Sequence, residues 1–161
     1  MQTIDNKNLA LVSQLFIKNH ITVAVAESCT SGMIQLTLSQ APDAMSFFQG
    51  GITVYNAGQK AMHLDVNPIM AEACDSVSKE IAEQMSLSAA GKFNAEAGIA
   101  ITGYAQPVPE KGITNCYAYI AVSKKGKIIV SKRIKGEAEK SLSENQQLYT
   151  QKILAEVLKA F

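Results

Sequence analysis

The chain has 161 residues, 47% apolar and 18% charged, which excludes a disordered chain and suits one domain, residues 1–161, that buries about two-thirds of its unfolded surface. A net charge of +1 and a single arginine, Arg133, argue against a nucleic-acid surface, because phosphate and guanine recognition lean on arginine. No apolar run approaches the ~20 residues of a membrane span and no basic-then-apolar signal opens the sequence, so a cytoplasmic protein away from the membrane is expected.

Leu9, Leu11, Val12, Leu15 and Phe16 form a helical stripe within residues 5–19. Ile21 to Val25 is a short run of β-branched and small apolar residues, which suits a buried strand. It breaks into Glu27-Ser28-Cys29-Thr30-Ser31-Gly32, a strand-to-helix loop, before a helix over residues 32–40. Ala41-Pro42-Asp43 is a turn, and a second strand is expected around Ile52 to Tyr55. Gly50-Gly51 marks a bend or a close backbone approach. A helical turn over Asn56 to His63 carries Lys60, and Asn67-Pro68 breaks it. Ser78 caps the next helix, whose apolar face holds Ile81, Met85, Leu87 and Ala89 as far as Gly91. Residues 97–101 form another buried strand that runs into Thr102-Gly103, followed by a loop over Tyr104 to Asn115. Cys116 to Val122 and Lys127 to Ile134 make a hairpin, and an amphipathic helix over Ser143 to Phe161 closes the chain. This order predicts a three-layer α/β/α sandwich with a mixed sheet.

The loop after the first strand holds the densest set of reactive groups, at the strand end where open α/β sheets bind ligands. Ser28 needs a base to act as a nucleophile. The two histidines, His20 and His63, have no acid at a telling spacing and read as ordinary surface or helix residues. A lysine serves instead where burial lowers its pKa, and Lys60 follows the strand end at Tyr55. By spacing alone, Lys60 reads either as that base or as a solvated surface lysine. Cys29 reads as a small packing thiol, and Cys29, Cys74 and Cys116, without CxxC spacing, as reduced thiols. The amides of Thr30, Ser31 and Gly32 either hold an anion or simply start the helix. Thr102-Gly103 ends a strand that could line the same cleft. No HxxH, HExxH or DxD pattern suggests a metal.

AESCTSG, followed about thirty residues later by GGITVYNAGQK, then Val77-Ser78 and then IAITG, resembles the CinA C-terminal domain family of nicotinamide-nucleotide amidases, the NMN deamidases. The family pattern reads AESCTGG, RGxVTYSNEAK, GAVS, TGIAGPxGG, a GTV strand and a late GDR. The resemblance implies a Ser/Lys amidase in which Ser28 is the nucleophile, Lys60 its general base and Tyr55 a positioning neighbour. It further implies hydrolysis of a nicotinamide carboxamide through an acyl-enzyme, with substrate contacts from Glu27, Thr30, Ser31, Gly32, Thr102 and Gly103. No cofactor or metal is implied, and the assembly is a homodimer or larger.

Departures from that pattern concern substrate binding. Ser31 stands where the family has glycine, so a positive φ there brings strain. Tyr55 and Lys60 persist, but the residues between them differ. The glycine-rich loop has become Tyr104-Ala105-Gln106-Pro107-Val108-Pro109. The late GDR aligns with Gly136-Glu137-Ala138, which lacks the arginine suited to a phosphate. Two expectations follow. One is an amidohydrolase acting on NMN or a related carboxamide with weakened nucleotide binding. The other is a catalytically inactive relative that serves as a small-molecule-binding or partner-interaction domain.

Overall fold

The structure, a computed structural model, describes residues 6–161. One five-stranded sheet has the order β2-β1-β3-β4-β5. Strand β1 (Val23–Glu27) pairs in parallel with β2 (Phe48–Thr53) and β3 (Ala97–Tyr104). Strands β4 (Tyr117–Lys124) and β5 (Lys127–Lys135) continue the sheet antiparallel. Helices α1 (Asn6–Lys18), α2 (Met33–Ser39) and α6 (Leu142–Ala160) cover one face, and α3 (Ala57–Leu64), α4 (Pro68–Ala73) and α5 (Lys79–Lys92) cover the other. This is the expected α/β/α sandwich with a mixed sheet. Among the described residues, no helix is long and apolar enough to cross a membrane.

Side-chain size sorts the two faces. In β1, Val23 and Val25 point to the α1/α2/α6 core while Ala24 and Ala26 point to the α3/α4/α5 core. Strand β3 repeats the pattern, with Ile99 and Ile101 on the first side and Ala100 on the second. Small residues let α5 approach the sheet closely. A Cβ added at Gly98 would lie 2.0 Å from the Ser86 carbonyl oxygen, and Ser86 Oγ donates to the Gly98 carbonyl at 2.9 Å.

From β1 the chain crosses by α2 to β2 on one side; from β2 it returns by α3, α4 and α5, on the opposite face, to β3 on the other side of β1. The connections flanking β1 therefore diverge, which opens a crevice at the carboxyl ends of the parallel strands. The loop leaving β1 is closed by Glu27, which is fully buried. Its Oε2 accepts from Thr30 Oγ1 at 2.5 Å and from the amides of Gly32 and Ile34 at 3.1 Å, and its Oε1 accepts from the Gln35 amide at 2.8 Å. These are the amides that the first turn of α2 leaves unpaired, so a carboxylate is the natural closure.

Boundaries differ from the sequence reading where tertiary pairing decides them. Strand β1 starts at Val23 and ends at Glu27, and β2 ends at Thr53, before Val54 and Tyr55 turn toward α3. Gly50-Gly51 lies inside β2 rather than before it, and a Cβ at Gly51 would sit 2.7 Å from the Val25 carbonyl oxygen. Asn67-Pro68, read as a breaker, starts α4: Pro68 occupies the first turn, and Asn67 Oδ1 accepts from the amides of Ile69 and Met70. Ser78 caps α5 as expected, and Ile81, Met85 and Ala89 face inward, but Leu87 falls off that stripe and is partly exposed. The predicted start of the first helix at Asp5 lies outside the described residues.

Two stability changes follow from these contacts. Gly98→Ala drives a methyl group against the α5 backbone and is expected to lower the unfolding free energy by about 1–3 kcal/mol in urea titration; an unchanged midpoint would mean that α5 is free to shift. Glu27→Gln turns one acceptor end into a donor facing backbone donors, and is expected to cost about 3 kcal/mol by the same measurement. Wild-type stability in that variant would show that the carboxylate is not what holds the loop.

Candidate active site

A cleft of about 490 Å³ opens at the carboxyl ends of the parallel strands. Ser28 lines it just beyond β1, Tyr55 and Lys60 come from the segment after β2, and Thr102 and Gly103 come from the end of β3. The Ser28 amide donates to the Ile101 carbonyl at 3.1 Å, and Gln146 Nε2 on α6 donates to the Cys29 carbonyl at 2.9 Å. With the Glu27 closure, these bonds hold the loop from three sides.

Helix α3 delivers the lysine. Asn56 caps it by accepting the Gln59 amide at 3.0 Å, and one turn later Lys60 points inward instead of to solvent. Its Nζ donates to Ser28 Oγ at 3.0 Å, with Ser28 6% and Lys60 2% exposed. Two residues 32 apart in sequence are thus joined by a buried hydrogen bond. Burial lowers the Lys60 pKa from its ordinary value, with Cys29 and Asp75 acting in the opposite direction. Cys29 supplies no real counter-charge, because burial pushes its thiol up to about 12 and keeps it neutral. Asp75 is therefore the acid that bears on Lys60. A neutral lysine amine can accept the serine proton across the same 3.0 Å, which is the geometry of a nucleophile and its base.

The other expected site residues divide into two groups. Tyr55, Thr102 and Gly103 line the cleft, but Tyr55 stands at its rim, 63% exposed, and its hydroxyl bonds to neither Ser28 nor Lys60. Thr102 Oγ1 donates to the Ser76 carbonyl at 2.7 Å and so fixes a neighbouring loop. Glu27, Thr30, Ser31 and Gly32 build the loop rather than the cleft wall. The amides of Ser31 and Gly32 are engaged, by the Ser28 carbonyl at 3.0 Å and by Glu27, so they are not open to an oxyanion. Ser31 has φ 51°, the strained left-handed conformation that its serine-for-glycine departure raised. His20 and His63 are exposed and lie outside the cleft. Among the described residues, no group of three His, Cys, Asp or Glu is placed to hold a metal ion.

Several wall residues escaped the sequence reading, Glu72 and a cluster around Asp75 among them. Asp75 Oδ2 accepts from Tyr104 Oη at 2.8 Å and from Lys111 Nζ at 2.7 Å, and all three side chains line the cleft. Burial opposes the Asp75 charge, but those two hydrogen bonds outweigh it and hold the carboxyl below its usual range. Burial, and then Asp75, push the Tyr104 phenol upward. Ser76 follows Asp75, and both take positive φ, 51° and 59°. Ser76 also lines the cleft, and its buried Oγ has no hydrogen-bond partner. The available signal was a mismatch: the pattern GAVS reads Asp75-Ser76-Val77-Ser78 here.

Comparison with known proteins agrees with this architecture. A CinA-like protein from Desulfotalea psychrophila is 38% identical over 97 residues, 60% of this chain and 24% of that protein. Another from Chlorobium chlorochromatii is 36% identical over 128 residues, 77% of this chain and 30% of its own length. The matches thus span less than a third of these relatives. A competence- or damage-inducible protein from Enterobacter asburiae superposes with TM-score 0.88 at 22% identity, over 99% of both chains. A CinA superfamily protein from Escherichia coli gives 0.87 at 25% identity, over 100% of this chain and 95% of that one. The CinA C-terminal domain matches residues 5–161, and with that match the chain belongs to the CinA C-terminal domain family.

Proposed function

We propose that the chain is a serine amidohydrolase acting on nicotinamide mononucleotide or a related carboxamide. The observation that carries this reading is the buried 3.0 Å contact between Lys60 Nζ and Ser28 Oγ. A buried lysine without a carboxylate bonded to its amine has little structural use, whereas a base beside a hydroxyl has a chemical one. Neutral Lys60 takes the Ser28 proton as Oγ attacks the amide carbon. Lys60 then gives that proton to the departing nitrogen, ammonia leaves, and the acyl group stays on Ser28 as an ester. Water, deprotonated by Lys60, attacks the ester; the carboxylic acid leaves and Ser28 regains its proton. The amides of Cys29 and Thr30, which no backbone carbonyl engages, are the nearest donors in sequence for the oxyanion.

A second reading, a relative that binds ligands without turnover, draws on the loop after β3. That loop has no glycine before Gly112, and exposed Ala138 stands where the family pattern has arginine. Ammonia release from NMN and other carboxamides separates the two. Release above background is expected for the wild-type chain, and Ser28→Ala should reduce it by about a thousandfold or more with the fold retained by circular dichroism. Equal release from both proteins removes Ser28 as nucleophile, and ligand-induced thermal stabilisation without ammonia selects the second reading.

The pH profile tests the base. Since burial lowers the Lys60 pKa, the neutral amine becomes available below the ordinary lysine value, and kcat/KM should rise with pH through that ionisation. The negative charge of Asp75 favours protonated Lys60, so Asp75→Asn should move the rising limb to lower pH. A limb that stays in place or moves upward would mean that Asp75 does not act on the base.

A further inference from the structure

The charged groups on the cleft wall are Lys60, Glu72, Asp75 and Lys111. Lys60, buried at the floor against Ser28, is drawn toward its neutral form, and Lys111 is held by Asp75 at 2.7 Å, which leaves Glu72 unbalanced. A phosphate dianion needs unengaged donors, usually arginine, a glycine-rich backbone or a helix N-terminus. Arg133, the one arginine, lies on β5 with its guanidinium 4.0 Å from the centre of the Tyr117 ring, and it is absent from the cleft wall. At the two helix starts that line the cleft, those of α3 and α6, the Gln59 amide is taken by Asn56 and the Glu144 amide by Ser141. A phosphate that drew Lys111 away would then sit beside the Asp75 carboxylate that Lys111 had neutralised.

The aromatic surface that Tyr55 and Tyr104 present on the same wall favours an uncharged or cationic ligand. Ser76 Oγ, buried and unpartnered, is a hydroxyl left to bond a ligand and does not by itself choose between a neutral and an anionic one. We propose that this cleft selects a carboxamide carrying no phosphate, neutral or cationic, with the Asp75-Lys111 pair and Glu72 as the elements that reject an anionic group. This inference rests on the amidohydrolase reading and narrows its substrate class.

Nicotinamide riboside and NMN make the matched probes, because they share the amide and the pyridinium cation and differ by one phosphate. Calorimetric titration of the Ser28→Ala chain at low ionic strength and pH 8 measures selection without turnover. The riboside should bind at least about tenfold more tightly than NMN, since a like charge a few ångströms away in a partly solvated site is worth about that much. Removing the rejecting charges with Glu72→Gln and Asp75→Asn should bring the two affinities together; asparagine tolerates the positive φ at position 75. Added salt should narrow the same ratio in the unaltered wall. NMN binding as tightly as the riboside, no measurable binding of either, or a ratio indifferent to both the charge substitutions and salt would overturn the proposal. Ammonia release from the riboside by the wild-type chain is read separately. Selective binding without ammonia would reject the Ser28 and Lys60 chemistry while leaving the selection in place.

Discussion

The burial of Lys60 is the constraint around which the rest of the molecule is arranged. Its side chain ranks with the largest fully buried ones, yet the group its amine meets is a hydroxyl rather than a carboxylate. Placing a charge there is unfavourable, so the fold shifts the lysine toward its neutral form. Such an arrangement persists only where surrounding structure holds both partners. Here α3 is capped by Asn56 at one end, and the Ser28 loop is bound to β3, α6 and the Glu27 carboxylate at the other.

Part of the backbone strain among the described residues lies at the same place. Ser31, Asp75 and Ser76 all hold positive φ without being glycine, and each lies in or beside a loop that shapes the cleft. Conformations of this kind cost of order 1–3 kcal/mol each and survive when the surroundings over-determine them. Thr102 supplies part of that determination by bonding to the Ser76 carbonyl from the end of β3. The two-faced sheet supplies the rest: large residues toward α1 and α6 make a broad core, and small ones toward α5 bring the helix after the Asp75-Ser76 loop close to the strands.

Much of the architecture was legible in residue patterns. The runs that became β1 and β3, the Ser78 cap and the final hairpin all appear where local chemistry demanded them. Errors came where a signal had two physical outcomes. Asn67-Pro68 ends one helix and starts another, because proline lacks only an amide that a first helical turn does not use. Gly50-Gly51 signals either a bend or a close backbone approach, and the second holds, because β1 and Gln35 press against Gly51 inside β2. Glu27, a substrate contact by the family resemblance, has both its oxygens engaged because α2 folds back onto it.

By itself, the sequence determined the alternation of strands and helices, the reactive loop after β1 and, through its family resemblance, the naming of Ser28 and Lys60. These rest on local periodicity, capping and short motifs, which act over a few residues. Only the tertiary structure decided that Lys60 is buried against Ser28 instead of solvated, because that depends on where the crossover returns α3 to the edge carrying β1. Likewise, Asp75, Tyr104 and Lys111 meet across 36 residues of chain, a distance at which no spacing rule operates. What the cleft accepts is set by that meeting of charges, and charge placement in space is a property of the folded chain.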